Sequence, residues 1–161
     1  MPKESNSFRR EGNELIHTRL LNAPRALVWE VWTNPEHLRE WWGPDGFTLT
    51  NNSIEVKPGS EWNFIMHGLG RDFPNKVTYL EVVEPSFLSY HHGDPEGKIS
   101  FTVFIMMEDL GDQTKLTIRS VFQSSEILDQ LDREVNAIEG GKQTYNRLEK
   151  YLDNLVNTYR N

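Results

Sequence analysis

Five histidines, His17, His37, His67, His91 and His92, are the side chains best placed to move a proton near neutral pH. His91 and His92 are adjacent, so on a strand they point to opposite faces and do not readily chelate one metal ion. The chain has no His-Glu-x-x-His run and no EF-hand loop, and no metal site is expected. It has no cysteine, which removes thiolate ligands, disulfides and a Cys nucleophile. Neither a Gly-x-Ser-x-Gly elbow nor a glycine-rich phosphate loop is present. No catalytic residue is therefore assigned. His67 and His91 are candidates for a polar group in a pocket or a proton shuttle, against the plainer reading as surface histidines. Tyr79, Tyr90 and Tyr145 are hydroxyls of the kind an apolar pocket uses to orient a ligand. Arg119 could meet a carboxylate, but the alternation of its strand turns it toward solvent.

The other chemistry-bearing group is aromatic. Rings make up 11% of a chain whose apolar content is only 37%. Such a surplus either fills a core or lines a cavity. All five tryptophans lie before residue 63. Trp41 and Trp42 are helix neighbours about 100° apart, so they cannot face one cavity equally. Trp62, Phe64 and Met66 share one strand face, as do Phe101, Val103 and Ile105. Phe104 and Met106 have the opposite parity and are expected on an outer face, a hint of a dimer or partner surface.

The elements that must position these residues follow from punctuation and period. With 161 residues the length is that of one domain. All eight prolines precede residue 96, so the first part is cut into short pieces and the end is free to hold one long helix. Residues 1–12 are polar and read as a flexible tail, and residues 13–161 as a single domain. Leu15–Leu21 reads as a strand. Asn22-Ala23-Pro24 opens a short helix with Val28, Val31 and Trp32 on its apolar face. Asn34-Pro35 caps a second one that runs through Trp41. Short alternating runs follow: Thr48–Val56, Trp62–Met66, Val77–Val83, Phe87–His91, Ile99–Met106 and Lys115–Phe122. They are separated by turn signals and imply an antiparallel meander. From Ser125 to Tyr159 the period is helical. Gly140-Gly141 marks either a break or a close approach of the backbone to something.

Asn22–Pro44 reads NAPRALVWEVWTNPEHLREWWGP. Ala23-Pro24, Val28-Trp29, the Trp32-Thr33-x-Pro35 step and Trp41-Trp42-Gly43-Pro44 resemble the family called activator of heat-shock-protein-90 ATPase homologue. That family lies in the START-like (SRPBCC, Bet v-type) superfamily. Pro58-Gly59 before the Trp62–Met66 run, Leu80-Glu81-Val82 with Glu84-Pro85, Thr114–Ile118 and Gly141-x-x-x-Tyr145-x-x-Leu148 agree in order. The resemblance covers about residues 13 to 158. It implies an α+β helix-grip fold: a curved antiparallel sheet of about seven strands around a long C-terminal helix, with two short helices after the first strand. Lys142 stands where the family usually has tryptophan. The lost indole either enlarges a void or is replaced by another ring such as Tyr145.

The resemblance also implies a cavity between sheet and helix that takes a small hydrophobic or aromatic molecule without intrinsic catalysis. Its expected lining is Trp32, Trp41, Trp42, Trp62, Phe64, Met66, Tyr79, His91, Phe101, Val103, Tyr145 and Leu148. No cofactor is expected. A cyclase or hydrolase using the same cavity is one alternative. A co-chaperone acting on a heat-shock-protein-90 ATPase is another, disfavoured because the eukaryotic activators carry an extra N-terminal domain for which this chain has no room. A homodimer is a further possibility. Seventeen Lys plus Arg against 24 Asp plus Glu give a net charge of −7, which argues against nucleic acid and against an anionic membrane surface. No apolar run approaches the roughly 18 residues of a membrane span, and no signal-peptide core is present, so a cytoplasmic protein is expected.

Overall fold

The structure, a computed structural model, describes residues 6–51 and 54–160. Among them are eight strands and four helices. The strands are β1 (Ser7–Glu11), β2 (Glu14–Leu21), β3 (Thr48–Asn51), β4 (Glu61–Gly68), β5 (Arg71–Val83), β6 (Phe87–Gly93), β7 (Ile99–Asp109) and β8 (Thr114–Phe122). The helices are α1 (Arg25–Thr33), α2 (Pro35–Trp41), α3 (Ser125–Val135) and α4 (Ala137–Arg160). The strands form one antiparallel sheet in the order β1-β2-β8-β7-β6-β5-β4-β3. The α+β helix-grip architecture expected from the sequence is the one observed, with one strand more.

The extra strand corrects the reading of residues 1–12 as a tail. Ser7–Glu11 pairs along its whole length with β2, from Ser7 opposite Thr18 to Glu11 opposite Glu14. Arg10 also reaches Asp129 on α3 at 2.8 Å. Residues 1–5 lie outside the described residues. Of the run expected over Thr48–Val56, Thr48–Asn51 is a strand and residues 54–56 are not, while residues 52 and 53 lie outside the described residues. The strand expected at Val77–Val83 begins at Arg71 and includes Pro74. That proline is tolerated because residues 71–75 pair with β4 alone; pairing with β6 starts at Lys76.

Local chemistry accounts for the two short helices. The Asn34 side chain accepts from the Glu36 amide at 3.0 Å, and Pro35 occupies the first turn of α2. Val28, Val31 and Trp32 of α1 and Leu38 and Trp41 of α2 are buried against the inward residues of the sheet. Trp41 donates its indole N–H to the Val31 carbonyl at 3.0 Å, tying α2 to α1. Leu148 and Leu152 of α4 are buried in the same core.

The C-terminal helix breaks at Asn136 and not at the glycine pair. Asn136 is left-handed (φ 55°), a conformation asparagine tolerates better than most residues. Its N–H bonds back to the Asp132 carbonyl, and the Asp132 side chain receives the Ile138 amide at 3.0 Å. One short junction thus closes α3 and opens α4.

Candidate functional site

A cavity of about 280 Å³ lies between the sheet, the α2–β3 loop and the start of α4. Its sheet wall is made by side chains of one parity: Met66 of β4, Phe73 and Asn75 of β5, Tyr90 and His92 of β6, and Phe101 and Val103 of β7. Trp42, Gly43, Pro44 and Phe47 form the loop wall. Val135, Ala137, Gly140, Gly141, Thr144 and Tyr145 form the helix wall.

The glycine pair sits where α4 meets the loop and the sheet. A Cβ on Gly140 would sit 3.2 Å from Cγ of Pro44, so the backbone of α4 comes close under the loop. A Cβ on Gly141 would meet Nε2 of His17 at 3.7 Å, an ordinary contact. Of the two options open at this pair, the close approach is the one realised. Arg147, one turn further on from Gln143, holds the loop in place. Its Nη1 donates to the carbonyls of Gly43 and Pro44 at 2.8 and 2.9 Å.

The polar groups of the cavity are few and neutral. Asn75 donates from Nδ2 to the Phe73 carbonyl at 2.7 Å, and its Oδ1 lies 2.9 Å from Nε2 of His92. Burial lowers the His92 pKa to about 4, so the ring is uncharged at neutral pH. His92 is partly exposed, but it opens on the cavity, so protein atoms still desolvate it. Burial raises the Tyr90 and Tyr145 hydroxyls well above the ordinary tyrosine value, so both are protonated. Rings surround His92: Phe101 at 4.7 Å between centroids, and Trp42 stacked at 6.3 Å and 25°. Among the described residues, neither Lys, Arg, Asp nor Glu lines the cavity. Among the described residues no cluster of His, Asp or Glu has a metal-holding geometry.

Behind the helix wall, His17 of β2 is 2% exposed. It sits between the rings of Phe8 and Tyr145, each 4.8 Å away, and its Nδ1 is buried without a hydrogen-bond partner. Burial first, and then the charges of Arg19 and Lys142, lower its pKa to about 4. Lys142 turns away from the cavity and places its Nζ 4.3 Å from the centre of the Phe8 ring. The void is thus not the space left by a missing indole at that position.

Of the residues expected to line a site, the structure brings together Trp42, Met66, Phe101, Val103 and Tyr145. Trp32, Trp41, Trp62, Phe64, Tyr79 and Leu148 are core residues outside the cavity lining; Trp62 stacks on Phe64 at 4.2 Å. His91 is a correction. It lies on the other face of β6 from Leu88, Tyr90 and His92, and its Nδ1 bonds to Thr102 Oγ1 at 2.8 Å. His92 takes the inward place, as the alternation through buried Leu88 and Tyr90 requires. Phe104 and Met106 do lie on the outer face: Arg119 stacks over Phe104, and Met106 is 47% exposed.

A family model described as activator of Hsp90 ATPase homolog 1-like protein matches residues 22–153. The chain belongs to this family. Its match spans the loop wall, the sheet wall and the glycine pair. No curated protein matches the chain. Among solved structures, a protein from Arthrobacter aurescens is 22% identical over 92% of this chain and 91% of its own, with a TM-score of 0.82. Ms6760 from Mycobacterium smegmatis is 22% identical over 92% and 98%, with a TM-score of 0.81. NE0264 from Nitrosomonas europaea is 26% identical over 88% and 94%, with a TM-score of 0.76. At these identities the likeness to the first two is one of fold.

Proposed function

We propose that this protein binds a small hydrophobic or aromatic molecule in the cavity between the sheet and α4, and performs no chemistry on it. The observation that carries the reading is the cavity itself: about 280 Å³, walled mostly by apolar and aromatic side chains, with a few neutral polar groups. A void of roughly 150 Å³ lined by apolar side chains stays dry and takes a benzene. The volume here suits a two-ring compound. The absence of any charged side chain among the described lining residues supports a neutral ligand, since a buried unpaired charge is costly. The binding reading is preferred to a cyclase or hydrolase because the described lining offers no Ser, Cys, Asp or Glu, and its tyrosine hydroxyls are held protonated.

The family assignment favours a second reading, regulation of a chaperone ATPase, for which the structure supplies no surface argument. No described helix is long and apolar enough to cross a membrane, and we place the protein in the cytoplasm.

A thermal-shift screen of the purified protein against aromatic and aliphatic compounds tests the binding reading. A ligand at one hundred times its Kd stabilises by about 2.7 kcal/mol, well above the noise of a melting curve. The reading fails if no compound shifts the melt at its solubility limit.

A further inference from the structure

The binding reading leaves open which chemistry the cavity selects, and the His92–Asn75 pair answers that. Asn75 donates through Nδ2 to the Phe73 carbonyl at 2.7 Å. An amide turned the other way would set its oxygen against that carbonyl, so the hydrogen-bond network fixes Oδ1 toward His92. Oδ1 can only accept. The 2.9 Å contact is therefore a donation from Nε2–H of His92. A neutral imidazole carries one N–H, and with Nε2 protonated, Nδ1 holds a lone pair. No described residue donates to that nitrogen. Nor is it a sealed orphan of the kind found at His17 Nδ1. The ring carrying it lines the cavity and is flanked by Phe101 and Trp42.

We infer that the cavity selects a neutral aromatic compound bearing a hydrogen-bond donor, a phenol-type hydroxyl, which donates to Nδ1 of His92. Asn75 is a positioning residue that holds the acceptor tautomer. Trp42 and Phe101 supply ring faces for the aromatic body. A carboxylate is rejected, because the lining has no cation to pair with it and His92 presents a lone pair to it. The inference rests on the binding reading and adds the polarity and identity of the orienting group.

Three two-ring probes separate the two claims: 2-naphthol, 2-methoxynaphthalene and 2-naphthoate, titrated at pH 7.5 by calorimetry. The expected result is 2-naphthol binding about tenfold more tightly than its methyl ether, the effect of one hydrogen bond. 2-Naphthoate should bind at least tenfold more weakly than 2-naphthol. His92→Phe keeps the ring and should abolish the preference while still binding the ether. Asn75→Leu releases the tautomer and should reduce the preference, which a merely structural role would leave unchanged. Imidazole 15N shifts of the unmodified protein supply a readout that needs no variant: Nε2 protonated, with Nδ1 moving when 2-naphthol is added. Equal binding of 2-naphthol and its ether overturns the donor claim and leaves the cavity reading standing. A preference that survives in His92→Phe, tighter binding of 2-naphthoate, or an Nδ1-protonated ring overturns it too. Failure of all three probes to bind overturns the donor claim, whereas the binding reading falls only if the thermal-shift screen finds no compound.

Discussion

Acid should destabilise this fold through His17 in a way that one substitution removes. The ring is 2% exposed, wedged between Phe8 and Tyr145, and Nδ1 has no partner. Its pKa falls from 6.5 to about 4 on folding. A histidine whose folded pKa is depressed adds no penalty above pH 6.5, where both states are neutral. As pH drops below 6.5 the unfolded chain takes up a proton that the folded chain refuses, and stability falls until about pH 4. At pH 5 the unfolded ring is almost wholly protonated and the folded one about a tenth, which amounts to a loss of roughly 2 kcal/mol relative to pH 7.5. The full loss at lower pH is about 3 kcal/mol. His92, also lowered to about 4, adds a loss of the same sign. The assay is urea unfolding of the unmodified protein and of His17→Phe at pH 7.5 and pH 5. Phenylalanine fits between two rings and carries no orphaned nitrogen, so at pH 7.5 the variant should be at least as stable. Its loss between the two pH values should be smaller by about 2 kcal/mol, the carboxylates being common to both proteins. Parallel pH dependence of the two proteins would refute the argument.

Trp41→Phe should cost about 2 kcal/mol in urea unfolding, because it strands the Val31 carbonyl that the indole N–H satisfies at 3.0 Å and leaves a void beside Trp32. Arg147→Met removes the donor holding the Gly43 and Pro44 carbonyls. It should lower stability by about 2 kcal/mol and weaken binding of any cavity ligand, both read by melting with and without ligand. Gly141→Ala should stabilise the protein by about 1 kcal/mol, since its Cβ finds an ordinary contact in a helix interior. Gly140→Ala should gain less or nothing, because its Cβ presses on Pro44 at 3.2 Å. Equal gains at the two glycines would show that the helix does not touch the loop.

The parts of the fold legible in the sequence were those written in local signals. Asn34-Pro35 is a cap followed by a pre-formed first turn, and α2 starts there because both side chains act on their own backbone. Alternation of Trp62, Phe64 and Met66 marks the inward face of β4 because the pleat admits only one parity to the core. β1 escaped because its sequence, SFRRE, has one apolar residue; pairing with β2 and the Arg10–Asp129 contact hold it as an edge strand. The break at Asn136 escaped because two glycines nearby are the louder helix-breaking signal. Those glycines answer a tertiary demand, room under Pro44, that no local rule expresses.

The site was half legible for the same reason. Met66, Phe101, Val103 and Tyr145 follow from strand and helix faces, while Trp42 lies just past the end of α2. Tyr90 was among the candidate pocket groups, and strand alternation sets His92 on the face of Tyr90 and His91 on the other, so that signal was present. Pro44, Phe47 and Asn75 carried none. The first two sit on a loop aimed by Arg147 from a helix 100 or more residues away. Asn75 matters only because β6 sets His92 beside it.

The most direct measurement of the central claim is a 13C-methyl NMR titration with 2-methoxynaphthalene, a probe that needs the cavity but no donor. Ligand entry predicts saturable shifts at the Met66 and Val103 methyls, which line the cavity, and none at the exposed Met106 and Val83 on the other side. No saturable shift at Met66 and Val103, or equal shifts at all four, would contradict the account.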